Sequence, residues 1–142
     1  MKKLLPLVLT LLLAACRAPS TPAGFEDHAA LDFSTARTTV QGAFQVRYTS
    51  KLEPLAINEL HSWTLHVERP DGQPVTGATV TIDGSMPAHN HGLPTMPQVT
   101  EVGNGDYRVD GVKFQMPGQW TMTVDVDAGG VRDAVTFNLL LP

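Results

Sequence analysis

Trp120-Thr121-Met122-Thr123-Val124-Asp125-Val126-Asp127 alternates without a break between large apolar and small polar side chains. A period of two places one row of side chains in a core and the other in water, which is the signature of a half-buried β-strand. The same period recurs on both sides of this stretch. Val135, Phe137, Leu139 and Leu141 alternate with Thr136 and Asn138 downstream. Upstream, Tyr107 and Val109 alternate with Arg108 and Asp110, and Val80 and Ile82 with Thr79, Thr81 and Asp83. Trp63, Leu65 and Val67 then alternate with Ser62, Thr64, His66 and Glu68, and Phe44, Val46 and Tyr48 with Gln45, Arg47 and Thr49.

The breaks between these runs carry turn residues: Pro70-Asp71-Gly72, Gly103-Asn104-Gly105, Pro117-Gly118 and Ala128-Gly129-Gly130. Short strands with a turn about every 8–12 residues predict an all-β, immunoglobulin-like β-sandwich of about seven antiparallel strands. The Cys-Trp-Cys hallmark of antibody domains is absent, so the expectation concerns architecture. No helical apolar stripe and no internal repeat is found after the N-terminal region.

That region reads as a leader. Lys2 and Lys3 precede an apolar run from Leu4 to Leu13, and Leu13-Ala14-Ala15-Cys16 follows. The order of charged, apolar and small-residue segments is that of an export signal. The run has ten residues, where a spanning helix needs roughly 20. Leu-Ala-Ala-Cys resembles the bacterial lipobox, which implies cleavage before Cys16 and lipidation of that cysteine. The partner so implied is a membrane, reached through lipid whose buried CH₂ groups contribute about 0.8 kcal/mol each. Arg17 rather than aspartate after the cysteine implies a lipid anchor in the outer membrane, facing the periplasm, where the cell has such a membrane. Cys16 is the sole cysteine, so a disulfide within one chain is impossible.

The expected organisation is a signal peptide over 1–15, the lipidated cysteine and a flexible tether over 16–36, and one β-sandwich domain over 37–142. Arg17-Ala-Pro-Ser-Thr-Pro-Ala-Gly24 has the small, polar, proline-bearing composition of a linker. Removing the leader takes away Lys2 and Lys3 and no carboxylate, so the formal charge moves from −4 to −6. A mildly acidic chain without a basic run argues against nucleic acid as a partner.

Chemistry concentrates in Met86-Pro87-Ala88-His89-Asn90-His91-Gly92-Leu93-Pro94-Thr95-Met96-Pro97. Imidazole and thioether suit a soft copper ion. In an extended segment i and i+2 share a face, so His89 and His91 can converge, with Met86 across a turn that Pro87 helps fix. Met116, at a turn after Phe114, and Met96 compete for a further thioether position. Met122 has core parity. His66 shares an outward row and is expected in solvent. His61 precedes a strand, and His28 lies in the linker with no role. For catalysis the residues offer little. Ser62 and Ser85 lack a nucleophile elbow, Asp125 and Asp127 line an exposed strand face, and no phosphate loop follows a strand. The expectation is a binding protein and not an enzyme. The alternative is a metal-free structural or protein-interaction module of the cell envelope, in which the Met-Pro and His-x-His pieces serve packing and turns.

Met86-Pro87-Ala88-His89-Asn90-His91-Gly92, with Gly105-Asp106-Tyr107-Arg108-Val109 and Phe114-Gln115-Met116-Pro117-Gly118-Gln119-Trp120, resembles the YtkA-like domain family, which is related to FixH-type proteins of oxidase assembly. The resemblance covers roughly Leu60 to Leu141. It implies an immunoglobulin-like sandwich outside the cytoplasm and, as partners, proteins of copper transport or copper-oxidase assembly. FixH-type proteins usually carry a membrane helix, where this chain has a lipobox.

Overall fold

The computed structural model describes residues 30–142; the expected leader, Cys16, His28 and most of the tether lie outside the described residues. Nine strands form: β1 (Ala36–Thr38), β2 (Gln45–Ser50), β3 (Leu60–Glu68), β4 (Thr79–Met86), β5 (His91–Gly92), β6 (Gln98–Gly103), β7 (Asp106–Lys113), β8 (Gly118–Ala128) and β9 (Val131–Leu141). They build two antiparallel sheets, one ordered β1-β2-β3-β7-β6 and the other β5-β4-β8-β9. With β1 set aside, these orders are the A-B-E-D and C′-C-F-G sheets of an immunoglobulin sandwich. No α-helix occurs among the described residues.

Each alternating run buries the row expected of it. Phe44, Trp63, Leu65, Val67, Val109, Trp120, Met122, Val124, Val126 and Phe137 are all essentially inaccessible. Tyr48 stacks on Trp63 with ring centres 4.7 Å apart and meets Phe137 edge-on at 5.0 Å. Phe114 bridges Trp63 and Trp120 at 6.3 and 5.3 Å, so rings from both sheets are in contact at one end of the sandwich. Replacing such a ring with alanine typically costs about 3–5 kcal/mol, a large part of a typical 5–15 kcal/mol domain stability.

Two hairpins follow directly from their turn residues. Gly103 pairs with Asp106 and Ala128 with Val131, leaving Asn104-Gly105 and Gly129-Gly130 as two-residue loops with all four φ angles positive. That is the type I′ geometry, whose twist matches the flanking strands and which glycine and asparagine tolerate. Strand β7 changes phase midway. Val109 and Val112 are both buried although their spacing is odd, because Gly111 (φ 91°) is the extra residue of a bulge where Ser62 pairs with Asp110 and His61 with Val112.

The chain enters its sheet at Ala36, and residues on either side of that point bind β9. Asp32 carbonyl accepts from Asn138 Nδ2 at 2.9 Å, Arg37 donates to the Thr136 carbonyl, and Val40 N–H donates to the Ala134 carbonyl at 2.8 Å. At the same edge Asp133 is 4% exposed and accepts from the backbone N–H groups of Gln41, Ala43 and Ala134 at 2.9–3.2 Å. Burial alone would push this carboxyl up. The Thr39 hydroxyl and the three N–H donors outweigh it and hold the group at about 2, below the ordinary 3.8.

Two predictions rest on this packing. A carboxyl held lower in the folded than in the unfolded chain stabilises the fold above about pH 4, and the contribution disappears as pH falls toward 2. Denaturant titrations of the parent should therefore lose stability over that interval, and Asp133→Asn should flatten that limb while lowering the midpoint at neutral pH. Gly84 is a packing position, since a Cβ there would stand 2.5 Å from Met122 Sδ and 2.9 Å from Leu93 Cγ. Gly84→Ala should cost about 1–3 kcal/mol by overpacking, read as a shift of the urea midpoint at constant slope.

Candidate functional site

Met86 ends β4 and the chain then reverses within four residues. Pro87 to His89 form one turn of 3₁₀ helix, Asn90 takes the left-handed conformation (φ 52°), and Asn90 N–H closes the turn on the Met86 carbonyl at 3.0 Å. Asparagine tolerates that conformation because its short polar side chain bonds locally. His91 and Gly92 then run back as β5, with His91 opposite Met86 and Gly92 opposite Ser85, and Leu93 N–H reaches the Gly84 carbonyl at 3.2 Å.

This hairpin brings His89 and His91 together. Their ring centres are 5.9 Å apart with the planes inclined by 21°. The expected reason was an extended segment; the actual one is the left-handed Asn90, which turns the chain so that both rings come to one side. Ring nitrogens sit about 2 Å from a first-row ion such as zinc, so two rings sharing an ion stand with centres roughly 5–6 Å apart. Among the described residues no three His, Cys, Asp or Glu side chains are grouped to hold a metal. Among the described residues, the donors that could join the imidazoles at this hairpin are therefore other than carboxylate or thiolate.

Directly opposed residues of an antiparallel pair share a face, so His91 stands on the core side with Met86. It is half-buried and meets Trp120 edge-on, ring centres 5.7 Å apart. Trp120 Nε1 donates to the Met116 carbonyl at 3.0 Å. Met86 is only 2% exposed, and a Cβ on Gly118 would approach its Cε to 2.8 Å. Met116 is half-buried against the core. Met86 and Met116 thus both lie in the surroundings of Gly118 and Trp120, whereas Met96 is 86% exposed in the link between β5 and β6.

The other histidines have different surroundings. His61 lies inside β3, 1% exposed, with Nε2–H donating to the Ala56 carbonyl at 2.8 Å and its ring edge-on to Phe114. His66 is not simply solvated: it is half-buried, with Nδ1 2.7 Å from Asp106 Oδ1 and Nε2 3.6 Å from Glu68 Oε2.

Gln115 is the residue at this site that no sequence signal marked. From the link between β7 and β8 its Nε2 lies 3.2 Å from His91 Nδ1 and 3.2 Å from the Gly92 carbonyl oxygen. Its Oε1 is buried without a hydrogen-bond partner among the described residues.

Among curated proteins none matches this chain. Of solved structures, a DUF4426 family protein from Pseudomonas aeruginosa PAO1 superposes with a TM-score of 0.54 at 16% identity, over 75% of this chain and 94% of that one. At that identity the likeness is one of fold. The ZirS C-terminal domain aligns with a TM-score of 0.39 at 12% identity, over 92% of this chain and 86% of that one. The family profile described as YtkA-like matches residues 41–125, more than half of the sequence and the span that carries β2 to β7, most of β8 and the His-x-His hairpin. The chain belongs to the YtkA-like family.

Proposed function

We propose that this YtkA-like protein is a lipid-anchored lipoprotein of the cell envelope that binds a copper ion for delivery, buffering or resistance. The ion is held by the imidazoles of His89 and His91 and by thioether from Met86 and either Met116 or Met96. The observation that carries this reading is the stacked pair at 5.9 Å in a hairpin where His91 Nε2 has no hydrogen-bond partner among the described residues. Imidazole and thioether together suit copper in either oxidation state, and thioether needs no deprotonation to bind. Of the two competing methionines Met116 is favoured by position, since it lies with Trp120 at the His91 end of the core, whereas Met96 points to solvent. The role is one of binding rather than catalysis, with a copper-transport or oxidase-assembly protein as partner and the lipid on Cys16 as the membrane contact.

One observation favours the alternative of a metal-free interaction module. Met86 is 2% exposed with its methyl group against Gly118, as a gap-filling core residue would be. Elemental analysis separates the two readings. In a Cys16→Ser background, which removes the thiol, the parent should retain stoichiometric copper after exposure and gel filtration, and His89→Ala/His91→Ala should retain none. Equal copper in both would leave the module. Cu(II) bound at His91 would also stand beside Trp120, so tryptophan emission should fall on titration in the parent and much less in Trp120→Phe.

A further inference from the structure

We propose that Gln115 is a positioning residue that sets which ring nitrogen of His91 carries the proton, and so governs how readily that ring accepts an ion. The inference rests on the copper reading for its consequence but not for its geometry. The Gln115 amide nitrogen has two hydrogens and two acceptors in reach, the Gly92 carbonyl and His91 Nδ1, both at 3.2 Å. In this arrangement Nδ1 is the acceptor, so a neutral His91 holds its proton on Nε2. The competing donation from Nδ1–H to the Gly92 carbonyl is longer, at 3.4 Å.

Nδ1 faces the Gln115 amide and the Gly92 carbonyl. Nε2 has no hydrogen-bond partner among the described residues and is the nitrogen left for a ligand. A ligating imidazole uses one nitrogen and donates from the other, usually to a carbonyl or carboxylate. Ligation through Nε2 therefore requires the proton on Nδ1, where it would confront the Gln115 NH₂ hydrogens. The ring must give its Nε2 proton to water and take one from water at Nδ1, with no net change in charge. The Gln115 amide must rotate so that Oε1 accepts from Nδ1–H. The buried Oε1 has no partner among the described residues and would gain one. Gln115 thus favours the ligand-free tautomer until an ion arrives, and then becomes the acceptor that orients the ring.

The test is the nitrogen-15 spectrum of His91 in the ion-free protein, at a pH where the ring is neutral, together with Cu(I) affinity by chelator competition. In the parent, Nδ1 should resonate as an unprotonated nitrogen. Gln115→Glu places a carboxylate acceptor there and should move the proton to Nδ1, while Gln115→Met, of similar size and without a donor, should give a mixture of tautomers. Affinity should be weakest in the parent and rise about tenfold or more in Gln115→Glu, the scale usual for partners of a ligating histidine. An Nδ1–H parent whose tautomer is unchanged in both variants overturns the proposal, because a merely structural Gln115 would leave the tautomer alone. Equal affinity in parent and Gln115→Glu overturns the link to metal. A parent that binds no copper but shows the tautomer shift sinks the copper reading and leaves the positioning role standing.

Discussion

Everything at the His-x-His end of this molecule depends on Trp120 being sealed between two sheets. It contacts Phe114 across the core and the His91 ring at its other edge, and it donates to the Met116 carbonyl. Contacts of this kind must hold the sandwich without covalent help, since the described residues contain no cysteine. Aromatic pairs add about 0.5–1.5 kcal/mol each beyond the area they bury, and here a run of them links Tyr48 to His91. The site is therefore an extension of the core, and its rigidity is borrowed from the packing beneath it.

The same dependence sorts the candidate ligands. His89 belongs to the turn and is exposed. His91 is fixed from below by Trp120 and from the side by Gln115. Met86 occupies the inward row and serves the core wherever else it serves. Under the copper reading proposed above, the site would have one firmly placed donor, His91, and one on a turn, His89.

How much of this was legible in the sequence follows from burial. Runs that bury a full row announced themselves by their period. β1, β5 and β6 did not, because none of them has a fully buried residue to set a phase. The phase change on β7 was hidden because a single glycine bulge separates two buried valines. Alternation continues on the new phase through Val112 and Phe114, both fully buried, to the half-buried Met116. The nearness of His89 and His91 was foreseen from their spacing, although through an extended geometry that Asn90 does not adopt. Gln115 was invisible for a simpler reason. Its partner is 24 residues away, and only the packing of the β7–β8 link against β5 makes a polar side chain into part of the site.

The lead-in segment over residues 32–43 carries a consequence of its own. It lies along β9, the eleven-residue outer strand of its sheet, and supplies donors to the carbonyls of Ala134 and Thr136 as well as the backbone groups that satisfy Asp133. A long outer strand with free backbone groups is a template for another chain. This short stretch thus works as a sheath, and the backbone edge it covers is withheld from any other chain that would add a strand to β9.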